Sequence, residues 1–232
     1  MKPVFAFPVY DRTHYVGPAL ESWRNVRGIE DAYIIHRLEP GYPDMAELVH
    51  RQRPEADGEI IINDSQLGND ANMKAAVTSG FATGTAFVIA AEDDVLVSRD
   101  LLEYMLAMAG RYAADKSVLA ITAWQDGPPG PLDEVRRTEW FYGGACWGMW
   151  RDRWDEVKDC WPPSGTGYDG YLWELAQATG RRCIQPAATR CKNIGEYGVN
   201  TRGEGFQAVW DRQQFTPDIP PQSYREQGTW PL

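Results

Sequence analysis

Residues 87–102 read FVIAAEDDVLVSRDLL. An apolar run too short for a helix, Ala86–Ala91, passes straight into three acids, Glu92, Asp93 and Asp94, and then into a segment with helical spacing. In that segment Leu101, Leu102, Met105, Leu106, Met108, Ala109 and Tyr112 fall largely on one face, which predicts a helix over Arg99–Tyr112 with Ser98 as its N-cap. A buried strand followed by a polar turn and a helix is the repeating unit of an α/β protein. Acids in that turn would sit at the carboxyl edge of the sheet, where open α/β sheets bind their ligands. Clustered carboxylates there suit a hard divalent cation, Mn²⁺ or Mg²⁺, which in turn can hold a diphosphate. Three acids in a row are otherwise often a solvated turn; the strand before them is what points to a site.

Working outward, the first half of the chain repeats the same unit. Short apolar runs at Val4–Val9, Ala32–His36, Glu59–Ile62 and Val118–Ala123 alternate with helical patterns near Pro18–Val26, Asp44–Arg51 and Ala71–Phe81, the signature of a parallel sheet built from βαβ units. After Trp124 the character changes. A Pro/Gly loop, QDGPPGPLDE (125–134), leads into a segment that holds seven of the ten tryptophans between Trp124 and Trp173. These would form a second, smaller core, a wall for the apolar faces of sugar rings, or some of each. The stretch TPDIPPQSYREQGTWPL (216–232) is proline-rich and irregular, and is expected to wrap the surface or end partly ordered.

Composition narrows the class. With 43% hydrophobic and 24% charged residues, a chain of 232 residues is globular and large enough for one sizeable core. No apolar stretch approaches the roughly 18 residues that cross a bilayer. The opening, MKPVFAFPVYDR, lacks the hydrophobic length of a secretory signal, so the mature chain is expected to begin at Met1. A net charge of −10 disfavours bulk electrostatic binding of nucleic acid. Cys146, Cys160, Cys183 and Cys191 are irregularly spaced and read as reduced thiols without a metal. His14, His36 and His50 lie outside any zinc spacing, and neither a G-x-S-x-G elbow nor a P-loop occurs.

Several further segments, in order, resemble the N-acetylglucosaminyltransferase I family and the related transferase of O-mannosyl glycans. They are EDDVLVSRDLLEYM (92–105), SVLAITAWQDG (117–127), RRTEWFYGGACWGMW (136–150), GYDGYLW (167–173) and RCIQPAATRCKNIGEYGVN (182–200). The likeness runs from about Val4 to Phe206 and is most specific between Glu92 and Asn200. It implies a GT-A type α/β fold over residues 1–215, with a nucleotide-sugar-binding half at 1–124, an acceptor and catalytic half at 125–215, and the tail at 216–232 outside it. It also implies an inverting transfer from a UDP-sugar, UDP-GlcNAc or UDP-glucose, to a hydroxyl of a glycan, a protein or a modified DNA base. The family's Golgi anchor and stem have no counterpart, which implies a cytoplasmic relative of bacterial or phage origin.

Carried over residue by residue, the resemblance makes Asp94 the metal ligand, Asp93 a contact to the ribose or metal shell and Glu92 a contact to the donor sugar. Asp169 takes the position of the catalytic base. Arg12, in VYDRTHY, matches an arginine at the uridine diphosphate end, and Asn200 falls on a residue that touches the diphosphate. Ala145 and Tyr168 complete the donor side. The chemistry fits: a departing diphosphate needs positive charge, and one-step inversion needs a base on the opposite face. Local sequence also allows plainer roles. Asp169 precedes a helical pattern and would serve as its N-cap, Arg12 would be a surface residue opening a helix, and the glycines of FYGGACWG would make a tight turn. Two rival functions are a sugar nucleotidyltransferase and a non-catalytic sugar-binding module. The first normally shows a glycine-rich loop and a lysine after the first strand, absent from FAFPVYDRTHY (5–15); the second has no need of both a leaving-group metal and a base.

Overall fold

The computed structural model describes residues 2–125, 128–139, 141, 145–196 and 214–227. The first half is built as its periodicity predicts. Strand β1 (Val4–Val9) and helix α1 (Thr13–Arg24) are followed by β2 (Tyr33–Leu38), α2 (Pro43–Gln52), β3 (Asp57–Ile62), α3 (Asn69–Ala82) and β4 (Phe87–Ala91). β1 pairs in parallel with β2 on one side and β4 on the other, and β2 pairs in parallel with β3. Alternation along β1 sends Phe5, Phe7 and Val9 to one face and Val4 and Ala6 to the other, because successive strand side chains point oppositely. The first face packs with Trp23 of α1 and Met45 of α2, the second with Met73 and Val77 of α3. Strands buried on both faces read as continuous apolar runs, and β1 and β4 are buried throughout.

The second half widens the sheet. β6 (Val118–Thr122), β7 (Glu134–Thr138), β8 (Cys146–Trp150) and β9 (Arg182–Pro186) join it, and β11 (Arg225–Gln227) closes one edge, giving the order β11-β7-β9-β6-β8-β4-β1-β2-β3. β8 runs antiparallel to both β4 and β6, so the sheet is mixed. Helices α4 (Leu101–Tyr112), α5 (Arg151–Val157) and α6 (Tyr168–Thr179) complete the layers, and a small ribbon pairs β5 (Val95–Val97) with β10 (Cys191–Asn193). No helix among the described residues is long and apolar enough to cross a membrane.

Three expectations change. Helix α1 begins at Thr13, five residues before Pro18, which lies inside it at the cost of one backbone hydrogen bond rather than marking its start. Helix α4 begins at Leu101, after β5, and Asp100 stands at its N-cap position without a side-chain capping bond. The Ser98 hydroxyl instead donates to Asp100 Oδ1 at 2.6 Å, so Ser98 is not the cap. The tail carries β11, and Ile219 within it is fully buried. Of the aromatic segment, Trp124, Trp147, Trp150, Trp154 and Trp161 are all buried, which assigns those five to the core. The four cysteines are free thiols, with only Cys160 exposed.

Candidate active site

The strand order β3-β2-β1-β4 places a topological switch point between β1 and β4: the chain moves outward from β1 to β3, then returns to lay β4 on the other side of β1. The crevice outside the carboxyl ends of such a pair is where open α/β sheets bind ligands. Both strands end there in polar residues. The Tyr10 amide donates to Asp93 Oδ2 at 2.8 Å, and Arg12 Nη2 donates to Asp93 Oδ1 at 2.7 Å. Arg12 Nη1 lies 2.8 Å from Asp94 Oδ2. One guanidinium at the entry to α1 therefore bridges two buried carboxylates that follow β4. Arg12 does occupy the N-cap position of α1, so it opens the helix as expected, but its side chain is half-buried on the two carboxylates and is not a surface residue.

The β5–β10 ribbon roofs this cluster. Asn193, paired with Val95, donates through Nδ2 to Asp94 Oδ1 at 3.2 Å, and the Ile194 amide donates to the Asp94 carbonyl at 2.9 Å. The Gly195 amide in turn donates to Asn193 Oδ1 at 2.7 Å. A Cβ at Gly195 would collide with Asp94 Oδ2, so this backbone can lie over the carboxylate only as glycine.

Glu92 faces the other half of the chain. Its amide donates to the Ala145 carbonyl at 3.1 Å, and its Oε1 accepts from the Tyr168 hydroxyl at 3.2 Å. Ala145 leads into β8 and is buried. Tyr168 opens α6 and packs its ring on Trp161, with centroids 5.5 Å apart and planes 14° apart. Asp169 follows in the first turn of α6, exposed to solvent. The helix N-cap is Gly167, so Asp169 is not the cap. Gly167 has φ +84, a left-handed conformation that favours glycine. Asn200 lies outside the described residues, as do Asp126, Gly143 and Gly144.

Three acids act on one guanidinium, and Asp169 adds its charge to theirs at Glu92. Burial first, and then the charges of Asp94, Asp169 and Asp93, push the Glu92 carboxyl well above the ordinary carboxylate range. Burial followed by the charge of Asp93 raises Asp94 to about 6, against the pull of Arg12. Burial opposes the charge on Arg12, yet Asp93 and Asp94 outweigh it and the net direction is upward. The donor set fits a hard divalent cation: the ligands on offer are carboxylate oxygens, and negative charge is in excess. Among the described residues no three His, Cys, Asp or Glu side chains converge as a cage. Mg²⁺ or Mn²⁺ at a substrate diphosphate take one or two carboxylates and fill the remaining positions with phosphate oxygens and water.

Three participants escaped sequence reading. Asn193 and Gly195 lie in the CKNIGEYG stretch and reach Asp94 only through the ribbon. Asp70 lies in the NDAN opening of α3 and would pass for an ordinary first-turn acid, yet its carboxylate accepts four amides from residues 165–168.

Comparisons agree with the resemblance. A model of the GNT-I family matches residues 73–212. An alpha-1,3-mannosyl-glycoprotein 2-beta-N-acetylglucosaminyltransferase of Arabidopsis thaliana is 30% identical over 115 residues, which is 48% of this chain and 25% of that protein. Among solved structures, S. aureus TarS 1-349 superposes with a TM-score of 0.63 at 12% identity, covering 84% of this chain and 61% of that one. The mannosyltransferase PcManGT from Pyrobaculum calidifontis, in complex with GDP-Man and Mn²⁺, gives 0.61 at 17%, covering 85% and 59%. TarS 1-349 in complex with UDP-GlcNAc gives 0.60 at 14%, covering 90% and 61%. This chain thus spans a quarter of the length of the curated relative and about three-fifths of the solved ones. The structural likeness shows the fold, which is the GT-A type of glycosyltransferases. The family match covers more than half of the chain and includes both the acid triplet and Asp169, and on that ground the chain belongs to the GNT-I family.

Proposed function

We propose that this chain is a metal-dependent, inverting glycosyltransferase that takes a UDP-sugar, UDP-GlcNAc foremost, and delivers the sugar to a hydroxyl of a mannose-bearing glycan. The observation that carries the reading is the Glu92-Asp93-Asp94 triplet bridged by Arg12 at the β1/β4 switch point, in a chain of this family. The donor is supported by the UDP-GlcNAc complex of a neighbour of the same fold, the metal by the Mn²⁺ of another, and the acceptor by the mannosyl-glycoprotein named for the Arabidopsis relative. Protein side chains and a modified DNA base are the acceptors to screen next.

In this reading Asp94, with Asp93 beside it, holds the cation, and Arg12 adds fixed positive charge at the same end of the crevice. A bound Mn²⁺ or Mg²⁺ supplies charge compensation for the departing diphosphate. Glu92 and Tyr168 hold the donor sugar, with Ala145 at its border. Asp169 accepts the proton of the acceptor hydroxyl as that oxygen bonds to the anomeric carbon and the carbon–diphosphate oxygen bond breaks. One displacement inverts the anomeric centre. Incubation of the chain with UDP-GlcNAc, Mn²⁺ and a mannose-terminated oligosaccharide tests this. The expected product is a β-linked GlcNAc with release of UDP, lost on adding EDTA. An α-linked product would overturn inversion, and release of pyrophosphate would favour a nucleotidyltransferase.

A further inference from the structure

We propose that Asp70 is a positioning residue for the acceptor-side base: its buried carboxylate, bound by four successive amides at the entry to α6, sets where Asp169 stands relative to the acid triplet, while the Tyr168 ring is held independently by its stacking on Trp161. The inference rests on the reading of Asp169 as the base. Asp70 is 1% exposed, in the first turn of α3. Its Oδ2 accepts from the amides of Gly165, Thr166 and Gly167 at 2.7, 3.2 and 3.3 Å, and its Oδ1 from Tyr168 at 2.7 Å. Its carbonyl accepts from Trp161 Nε1 at 2.8 Å. Both ends of the segment 161–168 are therefore tied to one residue far away in sequence.

An ordinary N-cap accepts one or two amides of its own helix from the residue that begins it. Here α6 has no side-chain cap of its own, and its entry is held from another helix. The segment offers little rigidity itself, since Gly165 and Gly167 have φ +89 and +84. What it leads to is functional. Tyr168, whose amide Asp70 holds, donates its hydroxyl to Glu92, and Asp169 is the next residue. Ser164 ties the same two segments a second time, donating to the Leu67 carbonyl at 2.6 Å and accepting from the Ala71 amide at 3.3 Å. An aspartate is needed because a carboxylate accepts on both oxygens, whereas Asn has one acceptor and turns an NH₂ against the amides.

The test compares the wild type, Asp70→Asn, Asp169→Asn and the double variant. Release of UDP from UDP-GlcNAc is followed with Mn²⁺ and water or a mannose-terminated oligosaccharide as acceptor. Displacing a reacting group by about 1 Å costs on the order of 100-fold, so Asp70→Asn should lower kcat by about that factor with the KM for UDP-GlcNAc nearly unchanged. Because Asp70 acts through Asp169, the double variant should be no slower than Asp169→Asn alone. Wild-type kcat in Asp70→Asn, or losses that multiply in the double variant, would overturn the proposal. Wild-type turnover in Asp169→Asn would sink the base assignment and this inference with it, whereas its loss alone leaves that assignment standing. Should Asp70→Asn not fold, Gly167→Ala keeps the aspartate and strains the entry that it holds: a Cβ there lies 3.1 Å from Asp169 Oδ1 at a φ that disfavours alanine, and the Gly167 amide is one of the four bound by Asp70. A folded Gly167→Ala with unchanged kcat would likewise overturn the proposal.

Discussion

Asp94 joins the two halves of the candidate site, since Arg12 at the entry to α1 and Asn193 from β10 meet on its two oxygens. Asp94→Asn is expected to keep the fold and lose Mn²⁺-dependent UDP binding, which calorimetry with and without EDTA would read directly. A Kd for UDP that stays equal in both conditions would argue for a site held by Arg12 alone. Because burial and Asp93 raise Asp94 to about 6, a cation must displace a proton below that pH; the Mn²⁺-dependent affinity should fall as pH drops through 6. His36 is a second test at this scale. It is fully buried against Phe7, its ring nitrogens lack hydrogen-bond partners among the described residues, and burial lowers it to about 3. Between that value and 6.5 the unfolded chain binds the proton and the folded chain does not, so its effect is to reduce stability as pH falls through this window. Asp94 acts in the opposite direction: its raised value favours the folded state at low pH, a contribution lost as pH rises from 3.8 to about 6. His36→Leu should raise stability by about 1–3 kcal/mol, the cost of an unsatisfied buried polar group, and flatten the acid limb of a Tm-versus-pH curve. An unchanged slope would mean that other groups control it. The acid triplet was legible because its members are adjacent in sequence and follow a strand. Asp70 and Asn193 were not, because each contacts its target across more than ninety residues.

At the scale of elements, the parallel half was readable because β1 and β4 are apolar on both faces and their helices show one buried stripe. Three-residue strands such as β5 and β11 carry no periodicity to detect, and their pairing comes from tertiary contact. β11 lies parallel to β7. Tyr224, just before it, donates to Asp100 Oδ2 at 3.2 Å and packs edge-on against Tyr104, with ring centroids 5.5 Å apart. Asp100 also pairs with Arg190 at 3.2 Å, both side chains being fully buried. Burial outweighs the other influences on Tyr224 and pushes its hydroxyl upward, so it remains a donor at neutral pH. Tyr224→Phe should cost about 1.5–3 kcal/mol, the net worth of one hydrogen bond to a charged group. Tyr224→Ala should cost about 3–5 kcal/mol in the manner of large aromatic truncations, with kcat and the KM for UDP-GlcNAc unchanged, since the partners of Tyr224 are Asp100, Tyr104 and Arg190 rather than the acid triplet. Chemical denaturation and the transfer assay on the same proteins would measure both. A loss of turnover in Tyr224→Phe at full folding would mean that the tail bears on the site.

Across the whole molecule the sheet topology fixes the crevice and leaves the donor open, since neighbours of nearly equal TM-score carry UDP-GlcNAc in one case and GDP-Man with Mn²⁺ in another. Charge sharpens the question. A chain with net charge −10 that points Glu92, Asp93, Asp94 and Asp169 toward one crevice repels a nucleoside diphosphate unless a cation intervenes, so the donor and the metal should stabilise the fold together and weakly apart. A ligand at a hundred times its Kd contributes about 2.7 kcal/mol, and at about 2–4 °C per kcal/mol for a domain of this size the shift is easily measured. UDP-GlcNAc with Mn²⁺ should give the largest rise in Tm, UDP with Mn²⁺ a smaller one, and either nucleotide with EDTA little. GDP-mannose should trail UDP-GlcNAc, because the family match and the Arabidopsis relative's name both point to N-acetylglucosamine transfer. Asp94→Asn should abolish the metal-dependent part of every shift. Equal shifts for UDP-GlcNAc and GDP-mannose would remove the donor assignment while leaving the fold and family intact. Shifts indifferent to EDTA would instead move the leaving-group role from the cation to Arg12, since its guanidinium is the positive group already paired with Asp93 and Asp94.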